Sequence, residues 1–232
     1  NDIYTLKYPA SGPPQYGSPE LWADQYYGPG GSDDRSESVD AAVDGSNSIV
    51  VTGYGKNLSA NDDIYVIKYL ADGTRQWAAT PFNGAANRDD YPSQVMFDAG
   101  GDVLVTGRTH NGADFDIFTR KLSGTDGSIA WTVIHDSTYG RDLGRDIAVD
   151  NSGDVYVTGV VVNAVGNEDL YLVKYSGVDG SKLWEKNIDG PANGNDIGDG
   201  VRVDANTNQV VVAGTVLASA GNNDFHVARY AA

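Results

Sequence analysis

The chain has 232 residues, 40% of them hydrophobic, which is enough for one domain with a sizeable core. Its formal net charge of −16 repels nucleic acid and anionic membrane, which excludes both as partners and leaves cations, basic proteins and neutral sugars. There is no cysteine, so disulfides and thiolate chemistry are excluded together.

In chain order, the sequence opens on DIYTLKY (2–8), passes through a Pro- and Gly-rich stretch, and reaches Trp22. A phrase then appears that keeps returning: DGSNSIVVTG (44–53), DAGGDVLVTG (98–107), DNSGDVYVTG (150–159) and, more loosely, DANTNQVVVAG (204–214). Its glycines, Gly53, Gly107, Gly159 and Gly214, are 52 to 55 residues apart. Trp22, Trp77, Trp131 and Trp184 keep the same spacing. So does a third register, in which DIYTLKY returns as DIYVIKY (63–69), DIFTRKL (116–122), DLYLVKY (169–175) and DFHVARY (224–230). Three anchors with one period define an internal repeat.

Each unit holds four short segments rich in Val, Ile and Tyr, typified by DIAVD (146–150), DVYVTG (154–159), DLYLVKY and KLWEKNI (182–188). Asp, Asn and Gly clusters between them mark tight turns. No stretch holds a helical period. Four antiparallel strands at this period predict an all-β chain, a β-propeller of four-stranded blades. The glycine of VTG is expected to end its strand, and the tryptophans to plate the outer strand. The expected divisions are a single domain over 1–232, with a partial blade at 1–32, blades at 33–88, 89–140 and 141–194, and a partial blade at 195–232. The count is about four blades with ragged terminal strands. Either one terminus completes the other's blade, or the ring is larger, of seven blades for instance, and is finished elsewhere.

The unit, strongest over 142–188, resembles the bacterial SBBP β-propeller repeat. That resemblance implies a secreted, cell-surface or periplasmic protein, found beside sorting or adhesion modules, with no defined catalytic motif.

In a meander the second-to-third connections share a face with the links between blades. They read as long and variable: 54–63, 108–116, 160–169 and 215–224, with 82–90, 135–142 and 189–196. Long loops on a rigid scaffold carry binding. This face gathers Asp62, Asp63, Asp89, Asp90, Asp114, Asp116, Asp142, Glu168, Asp169, Asp196 and Asp224. Ca²⁺ is the ion such oxygen-rich loops would take. The alternative is that each Asp binds main-chain amides and fixes its loop, and recurrence in every unit favours that. Tyr27, Tyr54, Tyr91 and Tyr139 lie near these loops and would stack on sugars, anchor a protein, or simply pack. The recurrent Lys68, Lys121, Lys174 and Arg229 read as framework charges for Asp44, Asp98, Asp150 and Asp204.

The expected function is a non-enzymatic binding or assembly module, an accessory subunit or adhesion-type scaffold for a protein partner or larger complex. The alternatives are a glycan-binding protein and a polysaccharide hydrolase with a carboxylate pair.

Overall fold

The structure is a computed structural model that describes residues 3–8, 21–26, 37–219 and 221–231. Its regular elements are all strands, and the described residues contain no helix. In the first sheet, β1 (Ile3–Lys7) pairs antiparallel with β2 (Trp22–Tyr26). The second is a four-stranded meander of β3 (Glu37–Val43), β4 (Ile49–Lys56), β5 (Asp62–Tyr69) and β6 (Arg75–Ala78). The third repeats it with β7 (Asp90–Phe97), β8 (Val103–His110), β9 (Phe115–Leu122) and β10 (Ile129–His135). The fourth does so with β11 (Leu143–Val149), β12 (Val155–Val162), β13 (Glu168–Tyr175) and β14 (Lys182–Ile188). The fifth has three strands, β15 (Ile197–Asp204), β16 (Gln209–Ser219) and β17 (Asn222–Tyr230).

The sheets stack face to face in chain order, and each junction is an apolar core. Ile3, Trp22 and Tyr26 meet Val51, Tyr65, Ile67 and Tyr69. Val50, Ile64, Val66 and Trp77 meet Val95, Val103, Val105, Phe118 and Leu122. The third and fourth sheets join through Ile117, Trp131, Val157, Tyr171 and Val173, the fourth and fifth through Tyr156, Leu172, Val201 and Val212. In the second, third and fourth sheets the second and third strands are covered on both sides, and every residue of β5 is buried. That is why these segments read as nearly unbroken apolar runs. Each fully buried aliphatic side chain contributes about 1.5–3 kcal/mol.

The repeated residues stitch the junctions. Lys68 Nζ and Trp77 Nε1 both donate to the Gly124 carbonyl of the next sheet, at 2.7 and 3.2 Å. Lys121 and Trp131 do the same to Gly177, and Lys7 and Trp22 to Ala71. The expected ion pairs form for Lys121 with Asp98 (2.9 Å), Lys174 with Asp150 (3.1 Å) and Arg229 with Asp204 (3.9 Å). Lys68 instead lies over the Phe97 ring while it donates to Gly124.

Two expectations change. The VTG glycine does not end its strand: β12 continues to Val162, past Gly159. Gly159 sits opposite a bulge in β11, and a Cβ there would lie 1.9 Å from the Leu143 carbonyl oxygen. Gly107 and Gly214 face the same device in β7 and β15. The glycine is what lets the bulged strand approach. The second-to-third connections are also shorter than expected, because β4, β8, β12 and β16 extend beyond the glycine. What remains are tight hairpins such as 57–61 and 163–167.

Candidate functional site

These hairpins and the links between sheets do meet at one end. Asp196 N donates to the Glu168 carbonyl at 2.6 Å, and Asp62 N to the Asp89 carboxylate at 2.9 Å. The expected carboxylates sort into three groups there.

Asp90, Asp142 and Asp196 are fully buried and act as clamps. Asp142 accepts from Ser137 N, Ser137 Oγ and Val162 N. Asp196 accepts from Gly190 N and Leu217 N, and Asp90 from Gly84 N, Thr109 Oγ1 and His110 N. Each one ties the incoming link to the end of the second strand of its own sheet. Buried carboxylates survive only with such donors.

Asp63, Asp116 and Asp169 each accept from an Asn in the preceding hairpin, namely Asn57, Asn111 and Asn163. Burial, chiefly, pushes Asp63 and Asp116 up to about 6; the charge of Asp90 adds to this at Asp63, and that of Asp136 at Asp116. Asp169 moves in the same direction for the same first cause.

The remaining acids lie outside these two sets. Asp62 and Asp89 flank Lys56 Nζ at 2.9 and 3.7 Å. Asp114 accepts from Asn111 within its own turn, and Asp224 from Asn222 at the start of β17. Glu168 pairs with Arg141 at 2.6 Å.

Two residues that the sequence reading did not single out complete the picture. One oxygen each from Asp116, Asp136 and Asp142 lie within 4.8 Å of one another, and the same holds for Asp169, Asp189 and Asp196. Asp136 and Asp189 each stand 20 residues after the strand-opening Asp, a spacing that could have found them; Asn83 holds that place in the second sheet. A hard cation wants six to eight oxygens. Asp142 and Asp196 already spend both oxygens on main-chain donors, so these groups fit a clamp more fully than a cation cage.

Of the expected tyrosines, Tyr27 lies outside the described residues. Tyr54 and Tyr91 pack edge to face at 4.7 Å, Arg108 covers Tyr91, and Tyr91 Oη donates to Asp62. They belong to the framework. Tyr139 differs, being 60% exposed. It rims a shallow depression of about 360 Å³ with His135, Asp136, Asn163, Glu185 and Asn187. On the depression's floor His135 stacks on Tyr171 at 4.6 Å, and Tyr171 Oη donates to Glu185 at 2.6 Å. Burial lowers the His135 pKa and favours the neutral ring.

The link that carries Tyr139 is irregular. Its counterparts turn at Asn87 and Asn193, with φ of 49° and 48°, whereas this one turns at Thr138 with φ of 77°. A β-branched residue pays strain there. A repeated device is structural, so the link that breaks the pattern among the three described is the best place for specific recognition. Compared with known proteins, the chain matches no family model and no curated protein.

Proposed function

We propose that the five sheets are blades of a β-propeller-type array. In this reading the chain is a non-catalytic binding or assembly module of the bacterial surface or periplasm, an accessory subunit or adhesion-type scaffold. One observation carries this reading: among the described residues the faces at both ends of the stack are open, while the acids that recur along the loop end are tied up in holding loops. Phe225 and Val227 on the fifth sheet are 79% and 56% exposed. Apolar side chains repeated in register and left uncovered mark contact surfaces. The test is binding of a hydrophobic dye to the dilute native chain. Binding that falls in Phe225→Ser and Val227→Thr, with unchanged melting, supports the reading. No binding by the wild type, or a loss of stability in these variants as large as in a core variant, overturns it.

A second reading, glycan binding, is favoured by the depression at Tyr139, where an aromatic ring stands beside amides and a carboxylate. Retention of the native chain on immobilised polysaccharide, lost in Tyr139→Ala and without release of reducing ends, is its expected signature. Release of reducing ends would point to hydrolysis instead.

A further inference from the structure

In the described residues each sheet has two faces, and the internal repeat gives each face the same register positions. The face turned toward the preceding sheet carries alternate residues of the third strand. These are Tyr65, Ile67 and Tyr69 in β5, and Tyr171, Val173 and Tyr175 in β13, all essentially inaccessible. In β9 they are Phe118, Arg120 and Leu122, also buried. The same positions in the first sheet are Tyr4, Leu6 and Tyr8. They are 53%, 37% and 42% exposed. Their neighbours on the other side of β1, Ile3 and Thr5, are buried against the second sheet, so the strand itself is packed in the usual way.

The opposite face repeats this in mirror sense. Ile64 and Val66, Ile117 and Thr119, and Leu170 and Leu172 are each buried under the following sheet. Their counterparts in β17 are the exposed Phe225 and Val227. Arg229 follows in the place of Lys68, Lys121 and Lys174, with its side chain 58% exposed. The free edge of β17 pairs with no described strand.

The two ends of the stack therefore carry, in the third-strand register, the two sides of a contact that the chain already makes at its inner junctions, where first- and second-strand residues such as Val95 and Val103 add to it. We propose that a second copy of this chain completes it: the Tyr4–Leu6–Tyr8 face of one copy seats on the Phe225–Val227 face of another. The occupant follows from continuity with the inner junctions, where the Tyr171–Val173–Tyr175 face sits on Ile117 and the Ile64–Val66 pair lies against Phe118 and Leu122. The contact is heterologous, head to tail, so it propagates or closes into a ring and does not stop at an isologous dimer. Copies with a net charge of −16 repel, so salt strengthens the association by screening.

This inference rests on the module reading above, and its test uses a different observable. Sedimentation of the full chain is measured from low to high micromolar concentration. Two single-face variants, Leu6→Asp and Val227→Asp, are measured alone and mixed, with melting curves to confirm that each is folded. The wild type is expected to show concentration-dependent dimers and larger species that increase with salt. Each variant alone should be monomeric, and the equimolar mixture should give dimers and nothing larger, because only one intact pair of faces remains. A wild type that stays monomeric overturns the proposal, even if it binds the dye and so keeps the module reading. A variant that still dimerises alone, or a mixture that stays monomeric, overturns it too. If Leu6→Asp is unfolded, Tyr4→Asp on the same exposed face takes its place.

Discussion

Asp142 is fully buried, and its two carboxylate oxygens accept from the part-buried amides Ser137 N and Val162 N. Removing the carboxylate takes the acceptor from three part-buried donors, each at the low end of the roughly 1–3 kcal/mol that a fully buried unpaired group costs. Asp142→Ala should therefore lose about 2–3 kcal/mol in a denaturant titration, whereas Asp224→Ala, exposed at the start of β17, should lose under about 0.5 kcal/mol. Asp63 and Asp116 behave in the opposite sense. Their folded pKa values of about 6 exceed the ordinary 3.8, so protonation favours the folded state. The stability they contribute is complete below pH 3.8 and is lost as pH rises through about 6. His135, held neutral by burial, opposes this in the same window, so the informative comparison is between variants. In chelator-treated protein Asp116→Asn should melt higher than wild type at pH 7, and the difference should vanish near pH 4. If calcium occupied the cluster, the same variant would melt lower than wild type once calcium is added.

Strand order, period and turn chemistry were legible at the scale of elements, because each is local. The Asp of the DNSG-type turn accepts from amides two and four residues on, as Asp150 does from Ser152 and Asp154. The third register reads directly as β5, β9, β13 and β17. What was not legible depends on the partner strand. Nothing local to Gly159 says that β11 bulges against it, so the glycine looked like a strand end and the hairpins looked long. The same limit hid Thr138, whose role is set by a hairpin and a link that meet only in space, whereas Asp136 was open to its 20-residue spacing from Asp116. The bulge makes a specific demand: Gly159→Ala places a methyl group inside the Leu143 carbonyl. It should cost about 2–4 kcal/mol. Gly45→Ala, with open space around its Cβ position and an ordinary φ, should be nearly neutral in the same denaturant titration.

Across the described residues one stacking rule joins five sheets through four apolar junctions, with Lys and Trp donors crossing three of them to a carbonyl of the next sheet. The rule runs out at β1–β2 and at β15–β17, where residues equivalent to the inner core face solvent. Local stability follows burial, so opening should be easiest at the ends and hardest in the middle. Amide hydrogen exchange, resolved by residue on the dilute native chain, tests this most directly. The slowest exchange is expected in β8, β9, β12 and β13 and the fastest in β1 and β17. Protection in β1 and β17 equal to that of the inner sheets would contradict it, since the end faces would then be covered and the stack closed on itself.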